Sequence, residues 1–238
     1  MEWFYDEALN LETKCLTISG EEFKHIKAHR LNTNSKIVIT NGKGLACEFE
    51  ISEFTKSNCT VVVSKFLETK QHNKRIISLA MPLLDSKERF EFAFEKSIEL
   101  GATNFIPLIT EYSSKKAVNL NRLKAKAISS IKQCQRDALP NISSAERITD
   151  VINSSASSQK IIVADIFGYK PKLDEQVDNI LLIVGPEGGL SEQEIALLHT
   201  KTNVSFWNLG QFRLRAETSA IVLLSVLMQL INYSEQDK

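Results

Sequence analysis

The hydrophobic pattern of residues 1–72 predicts short strands separated by turns. Three stretches are rich in residues that suit a pleated surface: KIVIT (36–40), LACEFEISEF (45–54) and CTVVVSKFL (59–67). NGKG (41–44) follows the first of them and is typical of a turn, because glycine tolerates positive φ. One helix is predicted over residues 20–31, whose apolar positions fall roughly on one face. These residues therefore predict a small β-rich domain.

From about Lys74 the pattern changes to apolar strands that alternate with helices. Five strands are predicted: RIISLAM (75–81), NFIPLI (104–109), KIIVAD (160–165), NILLIV (179–184) and NVSFWN (203–208). Because their apolar residues do not alternate with polar ones, they indicate a parallel sheet covered on both faces. Helices are predicted over residues 86–100, 119–138, 191–200 and 216–232. The pattern is that of an α/β domain over residues 73–238, with QHNK (71–74) as the linker.

Helix boundaries are predicted from residues that cap helix ends. The first of these helices is predicted to open at Asp85, with Glu88 three residues on, and to close at Gly101. Ser191 and Glu194 form a capping box for the third. The last helix is apolar nearly all round, so it is expected to be buried either in its own core or against a partner.

Composition excludes several classes of protein. Lys+Arg and Asp+Glu number 29 each, so no overall field favours nucleic acid or a membrane. The four cysteines have no CxxC or Cys/His ligand spacing, so no metal site is predicted. The amino-terminal residues lack a signal-peptide pattern, and the longest apolar stretch, at 220–231, is too short to span a bilayer. A cytoplasmic protein without a membrane partner is expected.

The glycine loop GPEGG (185–189) follows the strand NILLIV and precedes a helix. It lacks the GK[ST] of a phosphate-binding loop, and its glycines do not have the GxGxxG spacing of a dinucleotide fold. No acidic residue stands in residues 203–211 to bind a ribose. The loop is then either a tight turn or a wall along which backbone groups contact a neutral ligand.

The arginine loop NLGQFRLRAETSA (208–220) follows the next strand along the chain and carries Arg213, Arg215 and Glu217. Ligands of open α/β sheets bind beyond the carboxyl ends of the strands, so the two loops can wall one pocket. Backbone groups of the glycine loop would bind an adenosine-like ligand, and the arginines would hold an anionic substrate. Alternatively, Glu217 only complements the dipole of a helix that starts there.

These two segments carry a resemblance to a known family. LLIVGPEGGLSEQEI (181–195) and LGQFRLRAETSAI (209–221) resemble the paired C-terminal motifs of the SPOUT class of RNA methyltransferases. They are most similar to the RsmE family, which methylates N3 of a uracil in 16S ribosomal RNA. EKSIELGATNFIPLITEYSS (95–114) and KQCQR (132–136) look like two further motifs of that family. HIKAHRL (25–31) with KIVITNGKG is similar to its N-terminal PUA-like RNA-binding domain.

The resemblance implies a fold, a cofactor and partners. The expected fold is α/β, a C-terminal SPOUT domain with a parallel sheet and a trefoil knot, plus the small β-rich PUA-like domain. The expected cofactor is S-adenosyl-L-methionine, and the expected partners are 16S rRNA in the small ribosomal subunit and a second copy in a homodimer. Phe212 stands where the family has an arginine, and Arg213 beside it is expected to substitute. Lys132 replaces a family glutamate, and Ser219 a family alanine.

The resemblance also implies site residues. Cofactor binding is expected at Leu182, Val184, Gly185, Pro186, Glu187, Gly188, Gly189, Leu209, Gly210, Leu214 and Thr218. Arg215 is expected to stabilise negative charge on the uracil, with Arg213 as the second candidate. Glu217 would orient the arginine, and Glu187 could contact the sulfonium or the RNA.

A basic segment offers a surface for the RNA backbone. Residues 115–136 hold seven Lys or Arg and no acidic residue. The candidates there are Lys115, Lys116, Arg122, Lys124 and Arg136, and those in the N-terminal domain are His25, Lys27, Arg30 and Lys43. A solvated helix face is the alternative for any one of these lysines.

Two other functions remain open on the sequence. One is a sister SPOUT methyltransferase that acts on a ribose 2′-hydroxyl or on tRNA. The other is a non-catalytic RNA-binding assembly factor that keeps the fold.

Overall fold

The computed structural model describes residues 1–67, 75–173 and 177–236, with side chains of the last helix described to Ile231. The predicted linker 71–74 and the boundary between residues 72 and 73 lie outside the described residues. The chain forms two compact units. The first comprises residues 1–72 with 128–139, and the second comprises residues 73–127 with 140–238.

The first unit is a five-stranded sheet with one helix. Its elements are β1 (Trp3–Tyr5), β2 (Cys15–Ser19), α1 (Gly20–Ala28), β3 (Lys36–Thr40), β4 (Ala46–Phe54) and β5 (Asn58–Phe66). The strand order is β1-β3-β4-β5-β2, parallel between β1 and β3 and antiparallel elsewhere. Phe23 and Ile26 of α1 pack into a core with Phe4, Phe49 and Ile51. The predicted β-rich module is confirmed, whereas β1 and β2 were not predicted.

The second unit is a parallel sheet with helices. Its strands are β6 (Ile76–Pro82), β7 (Asn104–Ile109), β8 (Asn141–Ile142), β9 (Glu146–Arg147), β10 (Lys160–Tyr169), β11 (Asn179–Ile183) and β12 (Val204–Trp207). Its helices are α2 (Lys87–Glu99), α3 (Leu120–Cys134, whose last turns belong to the first unit), α4 (Ile148–Ser154), α5 (Glu192–His199) and α6 (Ala216–Gln236). The order is β12-β10-β11-β6-β7-β8, with β9 also on β7, and every described pairing is parallel.

The predicted parallel sheet is confirmed, and its strands explain the apolar pattern. Ile180, Leu181, Leu182 and Ile183 of β11 are at most 1% exposed, because β11 lies inside the sheet and both of its faces are covered. The short elements α4, β8 and β9 were not predicted, since they are too brief to show a periodicity.

Two predicted helices are shorter than expected because a residue adopts the left-handed conformation. Arg30 has φ 55°, and the Leu31 N–H donates to the Ile26 carbonyl oxygen at 3.3 Å, which ends α1 at Ala28. Gln135 has φ 58°, and α3 ends at Cys134 rather than at residue 138. Arg30 and Gln135 stand just after a helix end, where glycine is the usual residue in the left-handed conformation. The sequence therefore did not reveal either helix end.

The N-terminal caps of α5 and α2 were both predicted from the sequence. The capping box of Ser191 and Glu194 is present, so that prediction is confirmed. For α2 the N-cap is Ser86, whose side chain accepts from the Arg89 N–H, so the prediction that Asp85 opens this helix is wrong. Asp85 instead accepts a hydrogen bond from the Ser114 hydroxyl.

α6 packs on the second unit with one face. Ala220, Leu223, Leu224, Leu227 and Ile231 are at most 1% exposed. Within the described part of the chain, no helix is long and apolar enough to cross a membrane.

Candidate functional site

A cavity of about 530 Å³ lies at the carboxyl ends of three strands of the second unit. Its walls come from the end of β10, the glycine loop after β11 and the arginine loop after β12. The two loops therefore meet, as predicted, but their strands are not neighbours, because β10 lies between β11 and β12. The strand order thus adds a third wall that the two motifs did not indicate.

Most of the residues predicted for the cofactor line this cavity. They are Val184, Gly185, Pro186, Glu187, Gly189, Leu209, Gly210 and Leu214, together with the predicted catalytic residue Arg213. The lining does not include Leu182, Gly188, Thr218, Arg215 or Glu217. Leu182 is fully buried inside β11, and Thr218 is exposed on α6. The cofactor-binding role of all eleven predicted residues stays a prediction.

Sequence reasoning missed the residues that β10 contributes. The lining includes Val163, Ala164, Asp165, Ile166 and Phe167 from this strand, and Leu190, Ile195, Phe206, Phe212, Ala216 and Ser219 from other elements. KIIVAD was predicted as a strand with its carboxyl end at residue 165, but nothing local indicates that it lies between the other two. The Asp165 side chain accepts a hydrogen bond from the Phe167 N–H at 2.8 Å.

The glycine loop is compact and is held at its carboxyl end. The Gly189 N–H donates to the Pro186 carbonyl oxygen at 2.8 Å, and Gly189 has φ 81°, which favours glycine. A Cβ on Gly185 would lie 3.3 Å from the Leu190 backbone nitrogen, so a side chain there would be tight. Glu194 accepts hydrogen bonds from the backbone N–H groups of Ser191 and Glu111, at 2.8 Å each. The loop is therefore fixed by the start of α5.

A charged network joins the two loops. The Arg213 guanidinium donates to the Glu187 carbonyl oxygen at 2.6 Å. Arg89, in the first turn of α2, pairs with Glu187 at 3.1 Å and with Glu217 at 3.6 Å. Oε2 of Glu217 is buried and has no hydrogen-bond partner among the described residues, so the longer ion pair with Arg89 compensates its charge.

The structure separates the predicted catalytic residues. Arg213 lines the cavity, whereas Arg215 is exposed, and among the described residues no partner is recorded for its guanidinium. Glu217 is buried at the start of α6 and contacts Arg89 rather than the predicted arginines. Arg89 is a second charged residue that sequence reasoning missed, after Asp165. A signal existed, because an arginine in a first helical turn is unfavourable against the helix dipole unless acidic partners hold it there.

The basic residues of the second unit that are candidates for RNA binding differ in their contacts within the protein. Arg122 makes a bidentate contact with the buried Glu91, with Nη2 to Oε2 at 2.8 Å. Hydrogen bonding to Arg122 holds the pKa of Glu91 below its usual value. Lys115 donates to the Asp85 carbonyl oxygen at 2.6 Å, and Lys116 and Lys124 are exposed. Their role in RNA binding stays a prediction.

The candidates of the first unit lie on α1, in the turn after β3 and after α3. Nε2 of His25 lies 2.9 Å from Nε2 of His29, and burial is the main cause that lowers the pKa of His25. Lys27 donates to the Lys56 carbonyl oxygen at 2.9 Å, and Lys43 pairs with Glu7 at 3.6 Å. Arg30 is exposed, while burial lowers the pKa of Arg136. Their RNA contacts likewise stay predictions.

Comparisons with known proteins agree with this architecture. Residues 70–228 match the family model of an RNA methyltransferase domain, and residues 18–64 match that of the RNA methyltransferase PUA domain. A protein of Aquifex aeolicus named ribosomal RNA small subunit methyltransferase E is 29% identical over 236 residues, 96% of this chain and 99% of that one. Its Rickettsia conorii namesake is 29% identical over 213 residues, 87% of this chain and 86% of that one.

A solved structure shows the same fold. The ribosomal RNA small subunit methyltransferase E of Neisseria gonorrhoeae, bound to S-adenosyl methionine, matches with a TM-score of 0.87 at 24% identity. The match covers 97% of this chain and 98% of that chain. The expected α/β fold with a PUA domain is thereby confirmed, while the trefoil knot stays a prediction.

Proposed function

This chain belongs to the RNA methyltransferase family, and from that premise we propose that it methylates N3 of a uracil in 16S ribosomal RNA with S-adenosyl-L-methionine as methyl donor. The relatives that match over most of their length are named as methyltransferases of small-subunit ribosomal RNA, which supports this substrate. The observation that carries the proposal is the cavity in which the glycine loop and the arginine loop meet.

The cavity suits S-adenosyl-L-methionine. About 530 Å³ lies within the range of about 300–1,000 Å³ that small-molecule sites occupy. Leu190, Ile195 and Leu209 offer apolar surface for an adenine, and the glycines let backbone groups approach a ribose closely. A neutral nucleoside needs no lysine, which explains a glycine loop that lacks one. When bound, the cofactor supplies an electrophilic methyl group on a sulfonium.

The chain's own residues would prepare the uracil. N3 carries a proton at neutral pH, so negative charge must develop on the base before or during methyl transfer. Arg213 is the guanidinium in the cavity lining, and its bond to the Glu187 carbonyl oxygen holds it beside the glycine loop. A fixed cation there would stabilise the charge on the uracil carbonyl oxygens. This placement favours Arg213 over Arg215 for that role.

A carboxylate at the cavity would accept the N3 proton. Asp165 and Glu187 are the carboxylates of the lining. Because Arg89 engages the carboxylate of Glu187, we assign the proton to Asp165. This residue lies in β10, the strand that the sequence motifs did not include.

The test is methyl transfer to purified small ribosomal subunits with labelled S-adenosyl-L-methionine, followed by digestion to nucleosides and mass analysis. The expected product is 3-methyluridine in 16S rRNA. Label on a ribose, or in tRNA added in competition, would assign the protein to another branch of the family. A protein that neither binds the cofactor in calorimetry nor transfers label would be an assembly factor.

We also propose a cytoplasmic homodimer. The side of α6 that does not face the sheet carries the half-exposed residues Ile221, Val222 and Ser225, a largely apolar surface that a second copy could cover. The ribosomal substrate supports a cytoplasmic location.

A further inference from the structure

A second groove runs along the edge strand of the parallel sheet, and we call it the β12 groove. It has a volume of about 380 Å³ and lies between β12, the end of α5 and the residues that follow β10. The residues that concern us are Tyr169, Lys170, Lys172, His199, Lys201 and Phe206. None of them belongs to the motifs that indicated the cofactor cavity.

The chemistry of the β12 groove is that of a surface for single-stranded nucleic acid. Three lysines and a histidine line it, and no acidic residue stands among its described lining. Tyr169 is 82% exposed, so its ring is open to a stacking partner. His199 stacks on Phe206 with ring centroids 4.7 Å apart, which adds a second planar surface. Aromatic rings with a cationic border bind the bases and phosphates of single strands with little sequence preference.

The β12 groove adjoins the cofactor cavity. Phe206 lines both, and the extended end of β10 runs from one to the other. Phe167, which is 92% exposed, lines the cavity, and Tyr169 two residues later lines the groove. Gly168 between them lies against β12, where an added Cβ would come within 2.7 Å of the Phe206 carbonyl group. Glycine at this position therefore lets the strand carry both aromatic side chains along the edge.

We propose that the β12 groove binds the nucleotide next to the methylated uracil. The base of that nucleotide stacks on Tyr169, and its phosphate is held by Lys170 and Lys201. The inference rests on the proposed function, because it takes the uracil in the cavity as its starting point. A base to be methylated must be splayed away from its neighbours, so a stacking surface for the neighbour replaces the contact that splaying removes.

The experiment measures the dissociation constant of a fluorescein-labelled single-stranded RNA of ten nucleotides by anisotropy, at two salt concentrations. Tyr169→Ala is expected to weaken binding about 10-fold, since loss of base stacking costs on that order. Tyr169→Phe keeps the ring and should bind like the wild type. The double variant Lys170→Ala/Lys201→Ala should bind more weakly and show a shallower salt dependence, because it loses about two phosphate contacts. Lys160→Ala, at the amino end of β10, is the matched control.

Several results would overturn the proposal. One is an RNA affinity of the Tyr169→Ala protein equal to that of the wild type, and another is a wild type with no measurable RNA affinity. A third is a Tyr169→Ala protein that sediments as a monomer under conditions in which the wild type sediments as a dimer. The last would mean that a second copy covers the groove. Failure of the proposed function gives a different result. If the wild type does not methylate small subunits but its RNA affinity depends on Tyr169, the β12 groove binds RNA although the proposed reaction is wrong.

Discussion

At the scale of single residues, Arg89 explains how the glycine loop and the arginine loop are held together by a residue far from both in the chain. It contacts Glu187 of the glycine loop at 3.1 Å and Glu217, which follows the arginine loop, at 3.6 Å. Both carboxylates were first interpreted by what they could offer a ligand or a helix dipole. The structure shows that their charges also hold a cation between them, so Arg89 is a positioning residue for the cavity.

Arg89→Ala is expected to weaken the site and the fold together. The buried Glu217 carboxylate would lose its cation, which lowers the free energy of unfolding by about 1–3 kcal/mol. Cofactor affinity should fall on the order of 10-fold, because the loss of a charge-assisted contact has about that effect. Urea unfolding and calorimetry measure the two effects. Adding Glu217→Gln should recover stability but not affinity, and an Arg89→Ala protein with wild-type affinity would contradict the positioning role.

Arg213 and Arg215 form a matched pair for testing the catalytic role. Arg213→Ala should reduce kcat about 100-fold, the usual loss when one preorganised donor to a developing anion is removed. Arg215→Ala should reduce kcat less, because Arg215 is exposed and does not line the cavity. Single-turnover methylation of small subunits at saturating cofactor measures both. A larger loss of kcat for Arg215→Ala than for Arg213→Ala would show that Arg215 stabilises the charge on the uracil.

At the scale of elements, α2 and α3 are joined by charge. Glu91 of α2 is 6% exposed and accepts from the guanidinium of Arg122 on both oxygens, while Lys126 lies 3.4 Å from Oε2. The basic character of residues 115–136 thus has a structural component. Arg122 and Lys126 connect two helices of the second unit, and the exposed Lys116 is better placed to contact a phosphate backbone.

This contact makes the stability of the protein depend on pH. The bond to Arg122 holds the pKa of Glu91 below its usual value, so its stabilisation is present above the ordinary glutamate pKa of about 4.3. That stabilisation is lost as the pH falls through the lowered pKa. Glu91→Gln should have a free energy of unfolding about 1 kcal/mol lower than that of the wild type at pH 7. As the pH falls below about 4.3, the variant should lose less stability than the wild type. Urea unfolding at several pH values measures this, and parallel acid profiles would contradict it.

At the scale of the whole molecule, α6 has two faces with different roles. One face is fully buried on its own unit, and the other carries half-exposed apolar side chains. A helix that is apolar nearly all round was expected to lie in a core or against a partner. The buried face accounts for the first part of that expectation and leaves the second face for the proposed dimer.

Val222→Asp is expected to prevent dimerisation. A charge on the outer face of α6 could be desolvated in an interface only at high cost, whereas it stays hydrated in a monomer. Sedimentation velocity should show a dimer for the wild type and a monomer for the variant. Asn153→Asp, at an exposed polar position of α4, is the control. A wild-type protein that sediments as a monomer at micromolar concentration would refute the dimer.

The sequence by itself determined the class of the fold and the two motif loops. Apolar runs such as NILLIV specify strands covered on both faces, and Ser191 with Glu194 specifies where α5 begins, because these signals are local. Only the tertiary structure decided that β10 lies between β11 and β12, so that Asp165 and Phe167 join the cavity, and that Arg89 pairs with Glu187 and Glu217. The reason is that strand order and ion pairing depend on the free energy of contacts between residues far apart in the chain, which a local pattern does not contain.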